Sequence, residues 1–294
     1  MKNLNTLELH RFEQDSHRFY CNTFSAHVLK HHGEILVPHK HDFYLVVLFT
    51  QGSGVHEIDF VRYEIQPGAL FVLSPGQSHF WQPSADAEGL ILFHSREFYD
   101  LAFADHSLAD FSFYSSLTRS SMVQLVAPLL EEVYQIMSLV LREYSGQGLW
   151  RHRKIQMLLG ILYTNLARVC SQSVDSGWRI GRYAAHLTEL ERLINVHYKA
   201  HKSAGVYAEM LNLTVRHLNR VVREQLNKST TELIMERVAL EAKRLLVNSL
   251  DVGLTEVAEQ LGFDDYAYFS RIFKKYTGVS PSTFAQQYKS SYYR

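Results

Sequence analysis

The feature that most constrains the fold of this 294-residue chain is a pattern that occurs twice in its last third. Residues 208–214 match residues 258–264 at an offset of 50, and residues 218–233 match residues 269–284 at an offset of 51. Apolar positions coincide with apolar positions and basic with basic, so core and surface are repeated together. Two copies are too few for a solenoid, and they predict a tandem pair of structural units.

The second copy has the residues of a helix-turn-helix, a motif typical of DNA-binding proteins. We expect Thr255 to cap a first short helix, Gly262 to form the turn and Phe263 to fill the angle. Asp264 or Asp265 then caps the second helix. The apolar face of that helix consists of Phe269, Ile272, Phe273 and Tyr276. Its opposite face, with donors and positive charge, consists of Tyr266, Ala267, Ser270, Arg271 and Lys274.

A continuous helix is expected to join the two copies. Residues 232–248 contain neither Gly nor Pro, and their apolar stripe consists of Ile234, Val238, Ala242, Leu245 and Leu246. With a rigid connection, the second helix of each copy can enter one of two successive major grooves, about 34 Å apart along B-DNA.

Residues 183–287 resemble the C-terminal DNA-binding domain of AraC-type transcription regulators, most clearly in the segments ALEAKRLL, VAEQLGF and FSRIFKKYTGVSP. The resemblance implies base or groove contacts from Arg216, Asn219 and Arg220 in the first unit, and from Tyr266, Ala267, Ser270 and Arg271 in the second. Arg223 and Lys274, at matching outward positions, complete the predicted DNA-binding set. The chain departs from the family at Asn227, where Gly is frequent, but Asn tolerates a left-handed turn.

The charge distribution fits a C-terminal DNA-binding half. Residues 181–294 hold 16 Lys or Arg against 12 Asp or Glu, a net charge of +4, within a chain that is neutral overall. The basic half is therefore the half with the repeated motif, although a difference of this size also arises as ordinary variation.

Composition excludes several other classes of protein. A chain of 294 residues with 46% hydrophobic residues can form two domains with real cores. Cys21 and Cys170 are far apart and lack CxxC spacing, which excludes a disulfide scaffold and a thiolate metal site. A polar N-terminal segment and the lack of a long apolar run predict a cytoplasmic protein with no membrane partner.

The N-terminal half has the pattern of a small β-barrel or sandwich. Short apolar segments broken by Gly and Pro include YLVVLF, VHEIDF, PGALFVLSPG and GLILFH. Residues 38–59 and 65–81 are similar to the two cupin motifs, and in AraC-type proteins such a barrel commonly holds a small effector. The order of barrel, helices and tandem unit fits that family over nearly the full length.

Three histidines in these motifs are candidates for a ligand site. His39 and His41 lie two residues apart on an extended segment and point to the same side, and His79 follows a turn as the third cupin histidine does. The acidic ligand of the cupin pattern is missing, because Leu45 and Val46 occupy its neighbourhood. Three roles stay open: metal ligands, effector contacts, and hydrogen bonds that hold loops. We predict no bound metal.

Inward aromatic residues of the barrel are candidates to line an effector pocket: Phe43, Phe49, Phe71, Phe80 and Trp81. In so small a barrel, filling the core is the alternative role for each of them. The predicted effector-binding set combines both groups: His39, His41, Phe43, Phe71, His79 and Trp81.

Two amphipathic helices are predicted after the barrel, over residues 121–144 and 149–169. We expect an antiparallel hairpin whose remaining apolar surface forms a dimer interface, as the resemblance implies. The alternative is that both apolar stripes are buried within one subunit. Residues 173–182 contain Ser, Asp and two Gly, and they are the predicted linker between domains 1–172 and 183–294.

The predicted fold class is therefore α+β: an N-terminal cupin-like β-barrel with a helical hairpin, followed by an all-α domain with two helix-turn-helix units joined by a long helix. The predicted function is transcription activation in response to a small molecule, with recognition helices 214–226 and 265–276 in successive major grooves. Expected partners are double-stranded promoter DNA, a small-molecule effector, RNA polymerase and a second copy bound through residues 121–170. No cofactor and no catalytic residue is expected. The alternative hypothesis is a cupin-type metal-dependent enzyme with an incidental helical tail.

Overall fold

The computed structural model describes residues 6–12, 18–35, 37–103, 108, 111–114, 121–173, 183–248 and 253–292. The chain divides into two compact units. The N-terminal unit consists of Asn5–Ser115 and Arg119–Val174, and the C-terminal unit mainly of Asp175–Arg294. Most of the predicted linker, residues 174–182, lies outside the described residues.

The N-terminal unit consists of strands with a few helices. Its described strands are β1 Thr6–Leu7, β2 Phe19–Thr23, β3 Lys40–His41, β4 Tyr44–Gln51, β5 Gly54–Ile58, β6 Val61–Ile65, β7 Ala69–Leu73, β8 His79–Pro83, β9 Glu88–His94 and β10 Met122–Gln124. Its described α-helices are α1 Phe24–Ile35, α2 Arg96–Asp100, α3 Leu129–Ser145 and α4 Arg151–Ser173. One antiparallel sheet has the order β10-β7-β4-β9-β2 and another the order β6-β5-β8, while β1 pairs with β3 in parallel.

The five-stranded sheet is buried on both faces, which explains the continuous apolar runs of its central strands. On β4, Val47 and Phe49 pack in one cluster with Trp81 of the three-stranded sheet. The alternate residues Val46 and Leu48 pack in a second cluster with α3 and α4. This arrangement confirms the predicted combination of a barrel-like β-structure with a helical hairpin.

The first hairpin helix begins later than predicted. Residues 122–124, expected in a helix, form β10 and pair with β7, and α3 begins at Leu129. Val123 and Val126 therefore do not belong to the helical stripe, because backbone pairing with β7 overrides the local helical period. The buried stripe of α3 consists of Val133, Ile136, Met137 and Val140, and that of α4 includes Ile155, Leu159, Leu162 and Leu166. Both stripes are buried within the N-terminal unit.

The C-terminal unit is all-helical in its described residues. Its helices are α5 Ala184–His197, α6 Ala204–Met210, α7 Val215–Leu226, α8 Thr230–Asn248, α9 Leu254–Gln260, α10 Tyr266–Thr277 and α11 Pro281–Tyr292. Helices α6 and α7 form one helix-turn-helix, α9 and α10 form the other, and α8 joins them without interruption, as predicted. All seven helices contribute to one hydrophobic core.

Most of the turn and capping residues predicted for the second helix-turn-helix are confirmed. Gly262 has a left-handed φ of 72° and Gly278 one of 82°. The Asp265 carboxylate accepts hydrogen bonds from the backbone N–H groups of Ala267 and Tyr268, and so caps α10. The cap predicted at Thr255 is wrong: the N-cap lies two residues earlier, at Gly253, which has no side chain to contribute, and α9 begins at Leu254.

Candidate functional site

The first candidate recognition helix, α7, has its caps and its apolar face at the predicted positions. Thr214 Oγ1 accepts a hydrogen bond from the backbone N–H of His217 at 3.2 Å, and Asn227 ends the helix with a φ of 52°. The buried face consists of Leu218, Val221 and Val222. The exposed face includes Arg216, Arg220 and Arg223. The helix therefore presents three guanidinium groups to solvent.

Two predicted contact residues of α7 also have partners within the unit. Arg220 Nη2 lies 3.1 Å from His217 Nδ1 and 3.4 Å from the Tyr183 hydroxyl, although the residue is exposed. Asn219 is half-buried, and its Oδ1 accepts a hydrogen bond from Thr230 N at 3.0 Å. Asn219 thus ties α7 to the start of α8 through its amide oxygen.

The second candidate helix, α10, presents a mixed polar and aromatic face. Its exposed predicted residues are Ala267, Arg271 and Lys274. Ser270 and Tyr266 are only half-exposed, and the Tyr266 ring lies 6.1 Å from that of Phe269. Tyr266 therefore lies at the edge of the core instead of pointing fully outward.

Tyr268 is a further residue of this surface, and the sequence prediction omits it. Its side chain is 46% exposed, and the Arg271 guanidinium lies 6.0 Å from the centre of its ring. The i, i+3 spacing to Arg271 is the signal that could identify it, but it stands among core aromatics in the sequence. A ring beside a guanidinium offers a groove both apolar contact and hydrogen-bond donors.

The interior of the N-terminal unit contains four histidine rings and one tryptophan ring that lie together. We call this group the histidine cluster, and it consists of His39, His41, His56, His79 and Trp81, all at most 2% exposed. The sequence prediction omits His56, although it lies on the same face of β5 as the inward residue Ile58. The Nε2 of His56 lies 3.0 Å from His79 Nδ1. The ring of His79 lies 4.2 Å from that of His39 and 5.0 Å from that of His41. The structure thus brings together the three predicted histidines.

Hydrogen bonds determine the proton positions of two of these rings. His39 Nδ1 lies 3.0 Å from the Val37 carbonyl oxygen, and His41 Nδ1 lies 2.7 Å from the Phe43 carbonyl oxygen. Because a carbonyl oxygen only accepts, each Nδ1 carries the hydrogen and each Nε2 is left as an acceptor. Four buried nitrogen atoms of the cluster have no hydrogen-bond partner among the residues that the structure describes: His41 Nε2, His56 Nδ1, His79 Nε2 and Trp81 Nε1.

Burial keeps the histidine cluster uncharged at neutral pH. Desolvation lowers the pKa of His39 from 6.5 to about 4 and that of His41 to about 3. It also lowers the pKa of His56 and of His79 well below 6.5, and the neighbouring histidines act in the same direction.

The aromatic candidates divide between two surroundings. Phe43, Phe49, Phe71 and Trp81 belong to the interior core cluster. Phe80 is buried but does not belong to it, because it alternates with His79 and Trp81 along β8. The expectation that Phe80 points inward is therefore wrong.

In the described part of the chain, no group of three or more His, Cys, Asp or Glu residues is placed to hold a metal ion. The histidine cluster therefore gives the metal-dependent enzyme hypothesis no support. Among the same residues, no helix combines the length and the apolar character that a membrane span requires.

Two family models match this chain, in the order of its two units. Residues 24–153 match the AraC-like ligand binding domain, and residues 207–287 match a helix-turn-helix domain. The first match covers most of the N-terminal unit. The second begins within α6 and covers α7 to α10, including the helix between the two units.

Similar proteins with curated descriptions are transcription regulators. YfiF of Bacillus subtilis, an HTH-type transcriptional regulator, is 25% identical over 96% of this chain and 88% of its own length. The transcriptional activator RhaS of Pectobacterium carotovorum is 24% identical over 85% of this chain and 87% of its own. Among solved structures, ToxT of Vibrio cholerae is 13% identical, with a TM-score of 0.45 and coverage of 92% of this chain and 98% of that one.

Proposed function

Because this chain belongs to the AraC-type transcription regulators, we propose that it binds promoter DNA by placing α7 and α10 in successive major grooves. The observation that supports this most directly is the pair of helix-turn-helix units on one core, each with an exposed basic face. Relatives are named as activators, and we propose activation through RNA polymerase for this chain too. In this proposal the protein is a regulator and not an enzyme. It acts in the cytoplasm.

Selection of bound duplexes from a random pool, with the full chain, tests DNA recognition. The expected product is a site with two half-sites about one helical turn apart. Methylation of guanine N7 is expected to interfere with binding in two major grooves on one side of the duplex. If the full chain binds all duplexes of the pool with the same affinity, the proposal is contradicted.

Substitutions on α7 and α10 separate base contacts from phosphate contacts. Arg216→Ala or Arg271→Ala is expected to weaken specific binding by about 1–3 kcal/mol and to relax the preference at particular base pairs. Lys274→Ala is expected to weaken all sequences about equally and to reduce the salt dependence by about one unit of slope. Fluorescence anisotropy with the selected site and its single-base variants, at several salt concentrations, measures both effects.

Lys275→Ala is the matched control, because it removes the same charge from the neighbouring position of α10. Its affinity for the selected site and its sequence preference are both expected to match those of wild type. If all three variants bind the selected site with unchanged affinity, Arg216, Arg271 and Lys274 do not have the proposed roles.

The N-terminal unit is proposed to bind an uncharged effector through its interior. The support is the set of unpartnered nitrogen atoms in the histidine cluster, together with the absence of a buried Lys or Arg among the described residues of this unit. Neutral imidazoles and an indole N–H suit hydroxyl or amide groups better than a carboxylate. A thermal-shift comparison of sugars and polyols with carboxylates of similar size tests this class. Stabilisation by carboxylates alone would contradict it.

A homodimer through residues 121–170 is also proposed. Although the main apolar stripes are buried within the unit, α4 leaves Met157 59% exposed and Ile161 50% exposed, one turn apart on its outer face. A second copy is the partner that would cover this pair. Sedimentation of Ile161→Lys against wild type tests the interface, with Gln82→Lys, at an exposed position of β8 outside residues 121–170, as the control. Equal masses for both variants and wild type would contradict it.

A further inference from the structure

The side chain of Lys202 connects two parts of the C-terminal unit that are 60 residues apart in the sequence. Its ammonium group donates hydrogen bonds to the Lys199 carbonyl oxygen at 2.8 Å and to the Gly262 carbonyl oxygen at 2.9 Å. It also lies 4.5 Å from the centre of the Phe263 ring. A single cation therefore contacts the loop before α6 and the turn between α9 and α10.

Both carbonyl groups lie just beyond the carboxyl end of a helix. Lys199 follows α5, which ends at His197, and Gly262 follows α9, which ends at Gln260. The carboxyl end of a helix carries partial negative charge and unpaired carbonyl groups, and a lysine ammonium is a favourable partner there. The aromatic face of Phe263 adds a cation–π contact.

The two backbone segments also touch directly at this point. Gly262 has a φ of 72°, and a Cβ atom built on it would lie 2.2 Å from the Lys199 carbonyl oxygen. The turn of the second helix-turn-helix therefore packs against the loop whose last residue, Ser203, caps the first helix of the other one. This contact and α8 form two separate connections between the recognition elements.

We propose that Lys202 is a positioning residue that fixes the separation of the two recognition helices, and so determines which spacing of two half-sites the protein accepts. The inference rests on the proposed function, because it assumes that both helix-turn-helix units bind DNA together. The shared hydrophobic core holds the two units together without directional bonds, whereas the Lys202 hydrogen bonds fix the loop before α6 against the turn after α9.

The test uses the full chain and three kinds of duplex. The first carries the two selected half-sites at their original separation, and the second carries them at separations longer or shorter by about one or two base pairs. The third carries a single half-site. Lys202→Met removes the charge and the donors while keeping the aliphatic length. It is expected to lower affinity at the original spacing by about tenfold, the equivalent of about one charge-assisted hydrogen bond, and to flatten the spacing preference. Affinity for a single half-site is expected to change less than about twofold.

Two further variants make the result specific. Lys199→Met removes the same charge from an exposed position of the same loop, and it is expected to keep the spacing preference. Lys202→Arg keeps the charge and the donors, and it is expected to retain most of that preference. Lys202→Gln serves as a second neutral variant, and circular dichroism verifies the fold of each protein.

The possible outcomes separate this inference from the proposed function. If wild type has no preferred site, the proposed function fails. If wild type prefers one spacing and Lys202→Met and Lys202→Gln prefer it as strongly, the role of Lys202 is wrong. It is also wrong if Lys199→Met flattens the preference as much, or if single half-sites lose affinity by the same factor.

Discussion

Acidification from about pH 7 to about pH 5 is expected to unfold the N-terminal unit. Its described core contains six buried histidines whose pKa values lie far below the unfolded value of 6.5: His27, His39, His41, His56, His79 and His94. Desolvation is the main cause in every case. Only the unfolded chain can take up protons at these rings near pH 5, so acid favours unfolding.

The direction and size of the effect follow from linkage. Each native pKa is depressed, so the stabilisation is complete above pH 6.5 and is lost progressively as the pH falls. The native pKa is about 3 for His27 and His41 and about 4 for His39 and His94. At about pH 5 each histidine contributes a loss of about 2 kcal/mol. Several such losses together are comparable to the whole stability of a domain, about 5–15 kcal/mol.

Thermal unfolding followed by near-ultraviolet circular dichroism, to which the buried Trp81 contributes, measures this loss. The midpoint is expected to fall steeply between about pH 6.5 and pH 5. His39→Gln is expected to reduce the number of protons that the chain takes up on unfolding near pH 5 by about one. His10→Gln is the matched control, because the His10 side chain is 71% exposed, and it is expected to leave the steep fall of the midpoint in place. A midpoint that stays constant down to about pH 5 would show that these histidines do not titrate on unfolding.

Gly262→Ala is expected to destabilise the C-terminal unit by about 3–5 kcal/mol. The new methyl group would lie 2.2 Å from the Lys199 carbonyl oxygen and 3.0 Å from Lys202 Nζ, on a backbone with a φ of 72°. The carbonyl belongs to the main chain and cannot rotate away as a side chain does. The contact between the loop and the turn must therefore open.

Gly278→Ala is the control for the backbone conformation alone. Gly278 has a φ of 82°, and a Cβ there meets nothing within 4 Å, so only the left-handed strain of about 1 kcal/mol is expected. Urea denaturation of the two variants measures the difference. If both variants lose the same free energy of unfolding, the close approach at Gly262 does not contribute to the cost of the substitution.

Where a feature depends on neighbours along the chain, the sequence was sufficient to predict it. Asp265, Gly278 and Asn227 end or begin helices through their own side chain or backbone freedom, and the duplicated pattern identified both helix-turn-helix units. Residues 122–124 illustrate the opposite case. Their apolar spacing fits a helix, but they pair with β7, a partner about 50 residues earlier in the chain, and no local pattern contains that information.

The candidate sites divide in the same way. The repeated pattern of α7 and α10 identified Arg220, Arg271 and Lys274 as outward residues, and the family resemblance implied Arg216. The cupin-like spacing identified His39, His41 and His79. The partial burial of Tyr266, the exposure of Tyr268 and the membership of His56 in the histidine cluster depend on how distant segments pack. They could not be derived from spacing alone.

The sequence by itself determined that this chain has a β-rich N-terminal half and two helix-turn-helix units joined by one helix, because hydrophobic periods and turn residues act over a few positions. Only the tertiary structure decided that four histidines and Trp81 are buried side by side, out of contact with water. It also decided that Lys202 joins the ends of two helices. Those properties arise from atoms brought together by folding, and desolvation and hydrogen bonding depend on the distances between such atoms.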